Sequence, residues 1–204
     1  MPLISFKKKD KYIYGIWRIT ENLNSLLNEI KLNKNDENYL SQISNEKRKK
    51  QSIAAKITLN QISNKTINIK YRENGAPFCA EYKNISISHS NIFSIVLISD
   101  EIIGIDVQHK KINIKKLKSK FINDHDFNNS FNEIDFLHYN WCSKEAIYKT
   151  LNNLKCSFKN NIYIENKNIN YSLGFYINDD KKINFEINHE KFENYFISIA
   201  KKIS

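Results

Sequence analysis

The sequence is poor in glycine and proline, with four Gly and two Pro in 204 residues. So few of the residues that are typical of linkers argue against a long disordered connection. The length suits one large domain or two fused domains of about 100 residues each. Hydrophobic residues make up 41% of the chain, and the 12 Phe, 11 Tyr and 2 Trp among them can supply a sizeable core.

Cysteine is scarce as well, and the three present (Cys79, Cys142 and Cys156) form no CxxC pair. An odd number without that spacing argues against a disulfide framework and against a thiolate zinc site. No run approaches the ~18 apolar residues of a membrane span, and residues 1–10 lack the apolar stretch of a signal peptide. We therefore expect a soluble, cytoplasmic protein with no membrane partner.

Negative charge is in short supply, since 32 Lys+Arg against 22 Asp+Glu give a formal net charge of +10. Such a field attracts nucleic acid, an anionic membrane face, a phosphorylated small molecule or an acidic protein. No helix-turn-helix signature, zinc finger or RRM-like aromatic pattern is present, which argues against a nucleic-acid-binding protein. The histidine spacings do not suit a zinc hydrolase either.

Hydrophobic periodicity predicts one strand, then helices, then strands, and the same order again from residue 102. This order predicts an α+β fold of two halves, residues 1–100 and 101–204. No sequence repeat links the halves, so a duplication is a structural hypothesis. The predicted strands cover 11–19, 66–71, 84–88, 93–99, 102–107, 161–165, 171–177, 182–188 and 195–200, and the predicted helices cover 21–31, 46–62 and 132–154.

The predicted helix over 132–154 carries a carboxylate on its apolar face. At about 100° per residue, Glu145 falls in the middle of an apolar stripe that runs from Ile134 to Tyr148, with Lys144 and Lys149 on its edges. An ordinary i,i+4 ion pair between Glu145 and Lys149 is one interpretation. An exposed pair would not need a place on the apolar face, however, and a buried carboxylate needs a cation or a metal ion as its partner.

Asp106 raises the same question in the apolar run 102–107. It could cap a turn at the end of a strand, but Gly104 just before it would let another group approach the backbone closely. Asp106 and Glu145 together are a natural pair of oxygen ligands, since Mg²⁺ is usually held by one or two carboxylates with phosphates and waters. With basic residues nearby, this pattern predicts a metal–phosphate site.

Two polar segments fit such a site. Residues 86–90 (SISHS) end an alternating strand, and their hydroxyls and imidazole could donate to phosphate oxygens, although a polar turn is the simpler interpretation. Lys47–Lys50 place four cations in the first turn of a predicted helix, where they oppose the helix dipole. That arrangement suits anion binding, and a solvated basic face is the alternative.

In this order the segments resemble the 4'-phosphopantetheinyl transferase superfamily, in its larger, monomeric, surfactin-type class. The motifs that carry the resemblance are NGAPF at 74–78 with ISISHS at 85–90, G-I-D at 104–106, and W-x-x-K-E-x-x-x-K at 141–149. The last of these is highly specific, and the first two are informative in this order. YIYGIW at 12–17 and CSFKNNIYI at 156–164 are similar to flanking family segments, so the resemblance spans most of the chain.

The resemblance implies an enzyme that transfers the 4'-phosphopantetheine arm of coenzyme A to a serine hydroxyl of an apo acyl or peptidyl carrier protein. It also implies dependence on Mg²⁺, with Mn²⁺ as a substitute, and release of 3',5'-ADP. The implied fold has two similar α+β halves in a pseudo-two-fold arrangement, and the implied state is a monomer. A relative that only binds coenzyme A or a carrier protein, without catalysis, is the alternative.

Particular roles follow from the resemblance. It implies Asp106 and Glu145 as metal ligands, with Glu145 also the general base and Lys149 a neutraliser of phosphate charge. Gln108 stands where many relatives carry a second acid, so we expect it to be a weaker third ligand. Ala76 stands where relatives often have a lysine. The residues implied to contact the coenzyme are Lys47, Arg48, Lys56, Gly75, Pro77, Ser88, His89, Lys144 and Lys149.

Overall fold

The first half of the chain forms a four-stranded antiparallel sheet with helices on one face. The computed structural model describes residues 3–126, 131–151, 156–179 and 181–203. The order of strands in this sheet is β1–β2–β6–β5, and β3 and β4 form a separate short hairpin. The elements are β1 (Leu3–Lys8), β2 (Tyr12–Arg18), α1 (Leu23–Asn28), α2 (Lys34–Ser41), α3 (Glu46–Ser63), β3 (Lys70–Tyr71), β4 (Pro77–Phe78), β5 (Asn84–Ser90) and β6 (Phe93–Ser99).

The second half forms a five-stranded antiparallel sheet in the order β7–β11–β10–β9–β8. Its long helix, α5, begins after Asn132, whose side chain accepts a hydrogen bond from the backbone of Asp135 and so caps the helix. The elements are β7 (Ile103–His109), a 3-10 helix (Ile112–Leu117), α4 (Lys118–Phe121), α5 (Glu133–Tyr148), α6 (Phe158–Asn161), β8 (Ile162–Asn168), β9 (Tyr171–Asn178), β10 (Lys181–Phe192) and β11 (Tyr195–Lys202).

The predicted α+β class is confirmed, and so is the order of strands and helices in each half. The strand predicted over 66–71 is wrong over most of its length, because only Lys70 and Tyr71 pair with a neighbouring strand. Strand β1 and helix α2 were not predicted. The helix predicted over 132–154 corresponds to α5, and the four residues 152–155 lie outside the described part of the chain. No helix among the described residues has the length and apolar character needed to cross a membrane.

The two sheets pack face to face and share one apolar core. Side chains alternate across a strand, so the opposite face of each sheet is left for a helix. Helix α3 covers the first sheet through Ala55 and Leu59, and helix α5 covers the second through Ala146 and Ile147. The shared core consists of Tyr14, Ile16, Phe93, Ile95, Leu97, Ile103, Ile105, Val107, Tyr195, Ile197 and Ile199.

Helix α5 lies directly against strand β7 at Gly104. A Cβ atom at this position would lie 1.9 Å from the carbonyl oxygen of Ala146 and 3.1 Å from Cγ2 of Thr150. The expectation that Gly104 permits a close approach is therefore confirmed. The group that approaches is the backbone of the helix that carries Glu145.

Replacing Gly104 should therefore be far more disruptive than an ordinary glycine substitution. We expect Gly104→Ala to lower the free energy of unfolding by about 3 kcal/mol or more, because the obstacle is a backbone oxygen that cannot rotate away. Urea unfolding followed by circular dichroism measures this change.

Gly75→Ala is the matched control. Gly75 has a φ of 80° and no atom within 4 Å of an added Cβ, so only the backbone conformation opposes the change. That substitution should cost about 1–2 kcal/mol. Equal losses in the two variants would contradict the close contact at Gly104.

Candidate active site

Asp106 lies in the middle of β7 and is only 3% exposed. Its Oδ1 accepts hydrogen bonds from the hydroxyl of Ser88 at 2.6 Å and from Nζ of Lys149 at 2.8 Å. Its Oδ2 accepts one from Nε2 of Gln108 at 2.8 Å. A turn-capping role at a strand end is therefore wrong for Asp106. It is a buried carboxylate whose desolvation is offset by three donors and one positive charge.

Glu145 lies beside this cluster on α5. The pKa of the Glu145 carboxyl is raised to about 7, chiefly by burial and also by the charge of Asp106, while the charge of Lys149 opposes the shift. Lys149 forms its ion pair with Asp106, so the interpretation as a simple Glu145–Lys149 pair is wrong. The structure thus brings Asp106, Glu145 and Lys149 together, as the sequence predicts.

The local sequence explains why these three groups meet. Gly104 brings the backbone of α5 against β7, and Asp106 lies two residues further along the same face of the strand. Glu145 and Lys149 are four residues apart, so they lie on one face of the helix about one turn from each other. Cys142, one turn before Glu145, donates from its Sγ to the backbone oxygen of Asp106 at 3.1 Å, which strengthens the contact between helix and strand.

Basic groups from the first half border the carboxylates. His89 lies on β5, so a turn at 86–90 is also wrong. Burial lowers the pKa of His89, the charges of Arg48 and Lys149 lower it further, and Asp106 opposes them. Lys47 in the first turn of α3 donates to Oδ1 of Asn91 at 3.4 Å, in the turn that follows β5. The start of α3 therefore lies close to His89, as anion binding would require.

A cavity of about 450 Å³ opens beside Lys149. Gly75 and Pro77 line it from the β3–β4 hairpin, and Ser86 lines it from β5. The hairpin turns between Arg72 and Gly75, where the backbone N–H of Gly75 donates to the oxygen of Arg72 at 2.8 Å, and the positive φ of Gly75 favours glycine there. The volume lies in the range of small-molecule sites.

Two lysines implied by the resemblance do not reach this cluster. Lys144 is fully buried, and its Nζ donates to Asp126 and to the backbone oxygens of Phe121 and Phe158. Lys56 is 6% exposed and forms a buried ion pair with Asp36. Because both ammonium groups are enclosed and already paired, we remove them from the set of coenzyme contacts.

The carboxylate pair fits a divalent cation that also takes ligands from a substrate. In the part of the chain that the structure describes, no group of three or more His, Cys, Asp or Glu side chains could hold a metal ion alone. Asp106 and Glu145 nevertheless repel each other, and a cation between them would relieve this repulsion. The amide nitrogen of Gln108 donates to Asp106, and its expected role as a weaker third ligand, through the amide oxygen, stays a prediction.

Comparison with known proteins identifies no family for this chain. A scan against protein-family models finds no match for the chain, and a search of curated proteins finds none either. The functional inference therefore depends on the residues and their geometry.

The raised pKa of Glu145 has a measurable consequence for stability. The folded state favours the protonated carboxyl. The contribution of Glu145 to the free energy of unfolding is therefore complete at low pH, and it is lost as the pH rises from about 4.5 through about 7. We expect Glu145→Gln to escape this loss. Its stability relative to wild type, measured by urea unfolding in a chelator, should rise by on the order of 2–3 kcal/mol between about pH 5 and pH 8.

Glu133→Gln provides the control on the same helix. Glu133 is exposed, and its hydrogen bond with Lys115 lowers its pKa. It is therefore ionised in both states over this pH range, and its variant should show a constant difference from wild type. A constant difference for Glu145→Gln as well would contradict the burial of Glu145 beside Asp106.

Proposed function

We propose that this protein is a 4'-phosphopantetheinyl transferase, which moves the phosphopantetheine arm of coenzyme A to a serine hydroxyl of an apo carrier protein. The observation that carries the proposal is the convergence of Asp106, Glu145 and Lys149, with Lys149 also lining a cavity of about 450 Å³. The G-I-D motif supplies the first of these residues, and the W-x-x-K-E-x-x-x-K motif supplies the other two.

The charges suit coenzyme A as the substrate. Its pyrophosphate and 3'-phosphate groups need cations around them, and Arg48, His89 and Lys149 border the site from three different elements. Mg²⁺, or Mn²⁺ in its place, would be held by Asp106 and Glu145 and would neutralise the pyrophosphate. Catalysis of phosphoryl transfer depends mainly on such positioning and charge stabilisation.

Glu145 is the proposed general base. In the metal-free protein the pKa of Glu145 is raised to about 7, and a cation bound beside it would favour the ionised carboxylate, the form that can accept a proton. The serine oxygen would form a bond to the β-phosphorus of coenzyme A as its proton passes to Glu145. The bond to the bridging oxygen breaks at the same centre, and 3',5'-ADP leaves. Lys149 is placed to stabilise the negative charge that gathers on the phosphate oxygens.

This protein also has a surface that suits an acidic carrier protein. The segment that follows β7 exposes Ile112 and Leu117, with exposed fractions of 71% and 41%. Six lysines surround these two apolar side chains in the sequence, and acidic partners are drawn to such a field. The lysines are Lys110, Lys111, Lys115, Lys116, Lys118 and Lys120.

We also propose the fold symmetry, the monomeric state and the cellular location that the family resemblance implies. Each half has one long helix, α3 or α5, packed on its sheet, which supports a pseudo-two-fold relation between halves of similar design. A monomer in the cytoplasm, with no nucleic acid or membrane as partner, belongs to the same proposal. A relative that only binds coenzyme A or a carrier protein is the second candidate, because Gln108 and Ala76 replace charged residues of the family pattern.

Intact mass spectrometry of an apo acyl carrier protein distinguishes the two candidates. After incubation with this protein, coenzyme A and Mg²⁺, we expect a mass gain of one phosphopantetheine arm. A chelator, Asp106→Ala or Glu145→Gln should abolish the gain, whereas Glu133→Gln should retain it. Binding of coenzyme A without any mass gain on several carrier proteins would favour the non-catalytic relative.

The basic border generates a separate prediction about salt. The double variant Lys47→Gln, Arg48→Gln should bind coenzyme A more weakly than wild type, and the difference should shrink at high salt because ions screen exposed charges. Isothermal titration at two salt concentrations measures this. Lys8→Gln, which removes an exposed charge from β1, should leave the affinity for coenzyme A unchanged at both salt concentrations. Equal affinities for the double variant and wild type at low salt would remove Lys47 and Arg48 from the site.

A further inference from the structure

Three alternate serines of β5 face the backbone of β7. The hydroxyl oxygens of Ser86, Ser88 and Ser90 accept hydrogen bonds from the backbone N–H groups of residues 105, 107 and 109, at 2.9, 3.3 and 2.9 Å. We call these three residues the serine ladder. Strand β5 is an edge of the first sheet and β7 is an edge of the second. The ladder therefore joins two sheet edges that would otherwise leave backbone donors unpaired.

Ser88 makes one contact that the other two serines lack. It donates its hydroxyl hydrogen to Oδ1 of Asp106 at 2.6 Å while it accepts from the backbone of Val107. A serine has one hydrogen to donate, so Ser88 has no donor left for a phosphate. It is also only 7% exposed. In the described part of the chain, Ser86 and Ser90 make no contact with a carboxylate.

We propose that Ser88 is a positioning residue, which fixes the Asp106 carboxylate for the metal ion, and that it does not contact a coenzyme phosphate. This inference rests on the proposed function, since the metal site is part of it. Of the two donors to Oδ1, the side chain of Lys149 is 24% exposed and can turn toward a phosphate. Ser88 is held by the ladder and stays on Asp106. Together with Gln108 on Oδ2, it prevents the carboxylate from rotating.

Ser88→Ala and Ser90→Ala form a matched pair of variants. Both remove one acceptor from a backbone donor of β7, so both should lower the melting temperature by a similar amount. Only Ser88→Ala also removes a donor from Asp106. We expect its dissociation constant for Mn²⁺ to rise about 10-fold or more, as for other partners of metal ligands. Ser90→Ala should bind Mn²⁺ nearly as wild type does.

The Mn²⁺ measurement uses the full chain with coenzyme A and no carrier protein, and the free ion is counted by electron paramagnetic resonance. Equal Mn²⁺ affinities for the two variants would overturn the inference. So would a loss of coenzyme A affinity in Ser88→Ala that is as large with a chelator as with Mn²⁺, since that pattern marks a phosphate contact. In turnover, Ser88→Ala should raise the Mg²⁺ concentration needed for half-maximal rate more than it lowers kcat.

A metal-free measurement separates this inference from the proposed function. The ¹³Cγ resonance of Asp106, assigned with Asp106→Asn, should shift in Ser88→Ala and keep its position in Ser90→Ala. If wild type binds no Mn²⁺ with coenzyme A, the proposed function fails, and this resonance alone decides whether Ser88 fixes Asp106. An unchanged resonance in both variants would overturn the positioning role.

Discussion

The contact between helix α5 and strand β7 at Gly104 is the constraint on which the candidate site depends. With the Ala146 carbonyl where a side chain would otherwise stand, Glu145 and Lys149 lie over the segment of β7 that carries Asp106. A larger residue at 104 would separate helix and strand and so move two of the three groups away from the third. The G-I-D motif thus combines a steric requirement with a chemical one. The glycine lets the helix lie against the strand, and the aspartate then contacts the charged side chain that the helix brings.

A second interaction fixes the same helix from the other side. The Lys144 ammonium, one residue before Glu145, donates to Asp126 and two backbone oxygens at distances of 2.6 to 3.0 Å. Burial lowers the pKa of Lys144, and Asp126 opposes that shift by stabilising its charge. A buried ion pair contributes little net stability, but the loss of one partner is costly, so the pair favours one position of the helix. Lys144 thus orients the part of α5 that carries the candidate base.

The sequence predicts the two carboxylates at the centre of the site, but it does not predict the partners of the polar residues around them. The reason is physical. A carboxylate in an apolar pattern is costly unless something pairs with it, so Asp106 and Glu145 stand out without any structure. A lysine does not stand out among 32 Lys+Arg, and the partners that enclose Lys56 and Lys144 come from distant parts of the chain. The alternation of Ser86, Ser88 and Ser90 is visible in the sequence, but the strand edge that they contact is a product of the sheet packing.

The surroundings of Asp106 and Glu145 differ, and this difference supports the separate roles proposed for them. Asp106 accepts three hydrogen bonds, whereas no side-chain or backbone donor among the described residues contributes to the pKa of Glu145. Groups in such different surroundings separate into a fixed anion and a proton acceptor, which is how neighbouring carboxylates divide acid–base work in general. Burial is the main cause of the raised pKa of Glu145, the charge of Asp106 adds to it, and the charge of Lys149 opposes both. The carboxylate that Ser88, Gln108 and Lys149 hold in place therefore also contributes to the raised pKa of its neighbour.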